Sequence, residues 1–273
     1  VINDVNGIPQ IGLGTFGRTG DDGLAALLEG IEAGYRHIDT AQSYDTERNV
    51  GEAIRQSGIP HNEFFITTKI VDTKLRRDDA LASVEGSLEA LGVDRVDLLL
   101  IHWPSFHDEV PIEEYLNAAA DCRERGQTRM IGVSNFTIDH LKRTEAVLGK
   151  GVIATNQVEL HPYLQSPKLT GYAAEIGLPL TAYQPLAQGK VADDPVLSRI
   201  AEAHGVTAAA ISLAFLMAEG HIVIPASSNA QRLRDNLAAQ DVSLSEAEVG
   251  EIRGLDRAER LIQPPKSPDW DDR

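Results

Sequence analysis

The sequence predicts an α/β protein, a closed (β/α)8 TIM barrel with an N-terminal β-hairpin and an extra C-terminal helix and tail, and three observations carry that expectation. Short aliphatic or β-branched runs alternate with longer runs of helical period along the chain, the pattern that leads to parallel strand pairing. Eight such strand runs can be counted, and their ends recur at intervals of about 30 residues, the length of one βα unit. No linker or low-complexity stretch divides the 273 residues, and single barrels commonly run to about 250 residues. The expectation is one domain, residues 1–273.

Taken in order, the opening VINDVNGIPQI reads as a hairpin turning at Asn6-Gly7 and placed to cover the barrel bottom. Strands are expected at residues 11–14, 36–39, 64–69, 96–102, 129–133, 154–159, 180–183 and 222–225. The run VDLLLIHW is apolar on both faces, as a strand between two layers should be. Among the intervening helices are residues 23–33, capped by Asp21 or Asp22, and residues 77–91, 111–125 and 138–148. In the second of these Leu81, Val84, Leu88 and Leu91 recur at three- and four-residue steps, and Gly92 is the stop. The interval before the last strand is long enough for two helices, around 194–203 and 208–218. Further helices around 231–239 and 245–255 and a Pro-rich acidic tail from Gln263 follow it.

Composition excludes several function classes. There are 25 Lys+Arg against 41 Asp+Glu, a formal net charge of −16. Such a surface repels phosphate backbones and anionic lipid heads, so neither nucleic acid nor a membrane surface is an expected partner. The single cysteine, Cys122, rules out an internal disulfide or a multi-Cys zinc site and is expected as inert packing in a reducing compartment, the cytoplasm. No apolar run of about 18 residues and no basic-then-apolar start is present, so neither a transmembrane span nor a signal peptide is expected. His102 and His107 have no further ligand at metal spacing, and no metal is expected.

Gly12-Leu13-Gly14-Thr15-Phe16-Gly17 fits the dinucleotide pattern G-x-G-x-x-G, with Asp39 downstream for a ribose. That fingerprint needs a helix opening within the glycine turn. Here Arg18-Thr19-Gly20 intervenes and Pro9 clips the strand, so the segment reads as a tight turn at the barrel mouth.

Functional groups of such barrels gather where strands end. Asp39, Lys69 and His102 end the second, third and fourth expected strands, and Tyr44 follows Asp39 by five residues. Adjacent strands lie about 4.8 Å apart, so the four can converge on one small molecule. Singly, a strand-end Lys is commonly a solvated residue and a His in an apolar run a satisfied core residue; four on successive units mark a site. A Tyr phenol titrates near ~10, and an adjacent Lys69 cation is expected to lower that value by stabilising the phenolate. Pairing with Asp39 opposes loss of the proton from a buried Lys69. His102 is placed to orient a carbonyl oxygen and Tyr44 to protonate it. Such protonation is useful where hydride reaches the carbonyl carbon, for which a nicotinamide cofactor is the natural donor.

GLGTF, HIDTAQSY, ITTKI, LLIHWP, IGVSNF, NQVELHPY and AYQPLAQG closely resemble, in order, motifs of the aldo-keto reductases, and the similarity spans essentially the whole chain. DTAQSYDTERNVGEAI, IHWPSFHDEVPIEEY and ATNQVELHPYLQ are most similar to the bacterial 2,5-diketogluconate reductase branch, which also reduces methylglyoxal and other small aldehydes. The resemblance implies a catalytic tetrad of Asp39, Tyr44, Lys69 and His102, with Tyr44 the general acid. It implies an extended nicotinamide dinucleotide across the mouth, held at Gly14, Thr15 and Asp39. Ser134, Asn135 and Gln157 would hold its carboxamide, Tyr183 would stack on its ring, and the loop of Gln184, Pro185, Leu186, Gln188 and Gly189 would bridge its pyrophosphate. Ser227, Ser228, Arg232 and Asn236 match the segment for a 2′-phosphate. Ala226 stands where many relatives carry Lys, and Asp235 where Glu is usual, so NADPH is the expected cofactor with NADH as an alternative. Substrate contacts are expected from Phe16, Tyr44, His102 and Trp103, with Phe106 and His107 nearby. The expected partner is a small carbonyl substrate, and the expected state a monomer. Two other readings are weaker. A cofactor-binding regulatory module like the potassium-channel β subunits would need an N-terminal docking extension, and a metal-dependent hydrolase a His-x-His closing the first strand.

Overall fold

The computed structural model describes residues 3–271, so the first two residues of the expected hairpin and the last two of the tail lie outside it. Asn6 and Gly7 both take positive φ, 55° and 75°, which is what a two-residue turn between twisted antiparallel strands requires. The turn joins β1 (Asp4–Val5) to β2 (Ile8–Pro9). Ile8 is fully buried against Phe65, Leu98, Leu100, Ala154 and Ile222 and plugs the N-terminal end of the barrel.

Eight parallel strands follow in sequential order: β3 (Leu13–Gly14), β4 (His37–Asp39), β5 (Phe65–Ile70), β6 (Val96–Ile101), β7 (Thr128–Ser134), β8 (Asn156–Glu159), β9 (Leu180–Tyr183) and β10 (Ile222–Val223). The first and last are joined as well. Gly12 N donates to Val223 O at 2.8 Å, Gly14 N to Pro225 O at 2.9 Å, and Val223 N to Gln10 O at 2.9 Å. The barrel is therefore closed and has no free edge. A Cβ on Gly12 would stand 2.7 Å from His37 Nδ1, and one on Gly14 2.9 Å from Ile224 O. Close approach of the His37 ring to Gly12 and of the seam backbone to Gly14 thus accounts for the G-x-G without a dinucleotide fingerprint.

The outer layer consists of α1 (Gly20–Ala33), α2 (Glu47–Ser57), α3 (Arg77–Leu91), α4 (Ile112–Glu124), α5 (Ile138–Leu148), α6 (Pro167–Glu175), α7 (Pro195–His204) and α8 (Ala208–Ala218). After β10 come α9 (Ala230–Leu237) and α10 (Glu246–Arg253). α1 begins one turn earlier than expected, with Thr19 as its N-cap. Asp21 and Asp22 lie inside its first turn, where carboxylates favour the positive end of the helix dipole. Strand ends shift by one or two residues; β6 stops at Ile101 and leaves His102 just outside it, at the mouth. Cys122 is buried in α4, where burial pushes its thiol up to about 11. Among the described residues no single helix is long and apolar enough to cross a membrane.

The Pro-rich tail is an ordered strap. Leu261 N and Ile262 N donate to the two oxygens of fully buried Glu159, at 2.7 and 2.9 Å. His161 Nε2 meets the same carboxylate at 3.0 Å, and the Arg260 guanidinium lies 3.6 Å away. Beyond this anchor Lys266 Nζ donates to Asp72 Oδ1 at 2.7 Å, and Ile138 N to Asp271 Oδ2 at 2.7 Å. Trp270 packs edge-on against Trp103, and the Arg260 guanidinium lies over the Trp270 ring, 3.8 Å from its centre. The strap therefore runs across the C-terminal mouth. Glu159→Ala leaves the backbone donors of Leu261 and Ile262 without their acceptor, and the expected cost is about 3 kcal/mol. Urea unfolding followed by tryptophan fluorescence measures it, since Trp270 belongs to the strap and packs on Trp103.

Candidate active site

Register brings the ionisable strand ends together. Asp39 is opposite Thr67, and Lys69 sits two residues further along β5, on the same inward face and one layer nearer the mouth. Lys69 Nζ donates to Asp39 Oδ1 at 2.5 Å, to Thr40 O at 2.8 Å and to Tyr44 Oη at 3.4 Å. An ammonium has three protons, and all three are used. Gln157 Nε2 donates to the other Asp39 oxygen at 2.6 Å. Tyr44 Oη lies 3.4 Å from His102 Nε2, and Ser43 Oγ 3.4 Å from His102 Nδ1.

Local hydrogen bonds hold Tyr44 in place. It closes a short 3₁₀ turn, Gln42–Tyr44. Gln42 Oε1 accepts from Val71 N at 3.0 Å, and its Nε2 donates to Ser83 Oγ and Ser87 Oγ, each at 3.1 Å. The hydroxyls of Thr15, Thr46 and Thr40 form a buried chain with steps of 3.0 and 2.8 Å, tying the loop after β3 to the end of β4.

Burial opposes the charge on Lys69, but attraction to Asp39 and Tyr44 and the hydrogen bonds to both outweigh it, so its pKa lies above the usual lysine value. The phenol departs from the sequence expectation. Burial raises the Tyr44 pKa above 10.0 and the Lys69 cation only partly offsets it, while Asp39 pushes the same way as burial. Tyr44 is thus a fully protonated donor at neutral pH, and the Lys69 charge is available to the phenolate once the proton has left. His102 is driven well below 6.5 by burial and then by the charges of Lys69 and Lys266. Its imidazole is neutral.

These groups open into a cleft of about 960 Å³. Its polar wall is hydrogen-bonded in sequence. Ser134 Oγ donates to Gln157 O at 2.8 Å, and Asn135 Nδ2 donates to His102 O at 2.9 Å and to Ser134 Oγ at 3.1 Å. Tyr183 Oη donates to Asn135 Oδ1 at 2.8 Å. After β9 the chain curls, with positive φ at Gln184, Ala187, Gln188 and Gly189, and Gln184, Pro185, Leu186, Gln188 and Gly189 all line the cleft. Gly14, Thr15, Ser227, Arg232 and Asn236 line it too. The Arg232 backbone N–H is taken by the α9 cap Asn229 at 3.0 Å, whereas its guanidinium has no ion-pair partner among the described residues.

Some expected residues fall elsewhere. Ser228 is exposed and does not line the cleft, because the chain alternates there and Ser227 is the residue turned inward. Phe106 and His107 lie on a turn outside the cleft wall. Phe16 stays 66% exposed and meets the Tyr44 ring edge-on at 5.2 Å, while Trp103, 7% exposed, forms wall and packing at once. Sequence reasoning missed Asp72 and three strap residues, Ile262, Pro264 and Lys266, all of which line the cleft. Among the described residues no cluster of three His, Cys, Asp or Glu side chains has metal-binding geometry.

The Aldo/keto reductase family matches residues 10–257. Methylglyoxal reductase DkgB of Escherichia coli O157:H7 is 45% identical over 265 residues, covering 97% of this chain and 99% of that protein. An aldo-keto reductase of Mycolicibacterium smegmatis is 39% identical over 97% of this chain and 96% of its own. A crystal structure bearing the name 2,5-diketo-D-gluconic acid reductase B superposes with a TM-score of 0.93 at 40% identity, covering 97% of this chain and 94% of that one.

The state of His102 is directly measurable. Its ring nitrogens, followed by 15N NMR, should titrate well below pH 6.5, and Lys266→Gln should move that midpoint upward by removing one of the two cations. An unmoved midpoint would mean that the Lys266 charge does not reach the ring.

Proposed function

The chain belongs to the aldo/keto reductase family and is an oxidoreductase acting on carbonyl groups, and from that premise we propose that it reduces small aldehydes and ketones, methylglyoxal and 2,5-diketogluconate among them, with NADPH and with Tyr44 as general acid. One observation carries the assignment of roles: the phenol of Tyr44 lies between a fully hydrogen-bonded Lys69 ammonium and a neutral His102 imidazole, at the floor of one cleft.

Enzymes of this family use nicotinamide cofactors, and the residues present suit one. Ser134, Asn135 and Gln157 offer the hydroxyl and amide groups a carboxamide pairs with, Tyr183 offers a ring face, and Arg232 brings an unpaired guanidinium to the cleft. When bound, the nicotinamide supplies hydride to the carbonyl carbon. The protein does the remaining work. His102 Nε2 and Tyr44 Oη hold the carbonyl oxygen from two sides, fixing the angle of the bond to be reduced. Tyr44 gives its proton to that oxygen as negative charge develops there. Lys69 then faces a phenolate; at 3.4 Å and an effective dielectric near 20 the gross attraction is about 5 kcal/mol. Asp39 keeps Lys69 charged throughout. The reading includes a single-domain monomer in the cytoplasm; a large core joining barrel strands to the outer helices supports the single domain, and a lone, buried cysteine the compartment.

Arg232 supports NADPH over NADH. With Ala226 in place of a second cation, one guanidinium carries the discrimination of a 2′-phosphate.

Tyr44→Phe removes only the proton donor, so cofactor binding by fluorescence titration should persist while kcat for methylglyoxal falls about a thousandfold. Because the Tyr44 pKa is raised above 10.0, the donor stays protonated through neutral and mildly alkaline pH. Reduction should therefore hold level and decline only above pH 10, whereas alcohol oxidation, which needs the phenolate, rises over the same range. A decline centred near neutrality would remove Tyr44 from the role. Arg232→Ala should weaken NADPH about tenfold more than NADH; equal losses would mean that the guanidinium does not read the phosphate.

A further inference from the structure

Two cations line the cleft, Arg232 and Lys266. Arg232 belongs to α9 and is accounted for by the cofactor. Lys266 is not. It is carried across the mouth by the strap, whose course is fixed before it by the Glu159 anchor and after it by Trp270 and Asp271. Its Nζ lies 2.7 Å from Asp72 Oδ1 and 5.6 Å from the centre of the Trp103 ring. It makes one side-chain hydrogen bond among the described residues, and an ammonium has three protons to give. Two donors therefore remain on a residue that lines the cleft containing Tyr44 and His102, and its partner is itself a carboxylate. The buried indole of Trp103, next to His102 in the chain, supplies an apolar surface beneath this cation.

The rest of the molecule disfavours an anionic substrate, since its formal net charge is −16. A cation held at the mouth, only partly satisfied and in a fixed place, offers local compensation. We propose that Lys266, with Trp103 beneath it, is a specificity-determining subsite for the carboxylate of an oxo-acid substrate, sharing the ammonium with Asp72 while Tyr44 and His102 hold the carbonyl. The inference rests on the function proposed above. Asp72 acts as a placeholder: it keeps Lys266 positioned before the substrate arrives and tempers its grip on the incoming anion.

A matched pair of probes tests this, 4-oxobutanoate and butanal, which differ by a carboxylate in place of a methyl group. The unsubstituted enzyme should favour 4-oxobutanoate in kcat/KM by about tenfold, chiefly through KM, the size of one charge-assisted hydrogen bond. Lys266→Gln should erase that preference, Lys266→Arg should keep most of it, and Asp72→Asn should widen it. An unchanged ratio in Lys266→Gln, or no preference to begin with, overturns the subsite; so does an equal loss for both probes, which would make Lys266 a strut of the strap. Methylglyoxal turnover is the separate control. If it is present, those outcomes count against the subsite alone; if the unsubstituted enzyme reduces none of the three compounds, the underlying reading falls and this one with it.

Discussion

The structure turns on one buried ammonium. Lys69 lies on a central strand with no exposure and gives its three protons to Asp39, to the carbonyl of Thr40 and to Tyr44. An unpaired charge at such depth would lose its proton, and this one keeps it because each donor has an acceptor. The requirement constrains the barrel around it. Asp39 must end β4 two residues short of Lys69 on β5, the turn at Gln42–Tyr44 must fold back over both, and Gln157 must reach across from β8 to the second Asp39 oxygen. Remove water from this point and two effects grow together. The phenol becomes harder to ionise, and the cation beside it acts through a less polarisable medium. A hydroxyl that stays protonated until it is needed, beside a charge that favours its loss at that moment, follows from a single fact of burial.

That pairing also marks where the sequence was informative and where it was silent. Strand ends and their spacing expose Asp39, Lys69 and His102 because a barrel places every such end on one face. The glycines at 12 and 14 are legible as a turn because no helix opens beside them, and the structure gives their causes: the His37 ring of β4 crowds Gly12, and the chain leaving β10 crowds Gly14. The direction of the Tyr44 shift was not legible. A sequence shows which charges are neighbours but not how deep they lie, and depth decides the sign here. The strap was missed for a different reason. It has neither helical nor strand period, and its strongest contacts are backbone N–H groups of Leu261 and Ile262 meeting a carboxylate some hundred positions earlier. Glu159 itself did not stand out, because it ends a strand of mostly polar residues, Asn156–Glu159, in which one more acid is unremarkable.

The strap and the chemistry are coupled through His102. Lys69 approaches the imidazole from below and Lys266 from the mouth, and both disfavour its protonation. A protonated ring there would place three positive groups around a small cleft, so the neutral form is imposed from two sides as well as by burial. Neutrality has a chemical consequence, because one ring nitrogen must then lack a proton. With Ser43 Oγ beside Nδ1 and Tyr44 Oη beside Nε2, a hydroxyl flanks each nitrogen, and a hydroxyl can either give or accept. The ring can therefore present Nε2–H to a carbonyl oxygen while Ser43 supplies the proton that Nδ1 accepts. Displacing the strap would remove one of the two cations that hold this state, so the segment that reads as a loose tail also helps to set the charge of the group that orients the reacting bond.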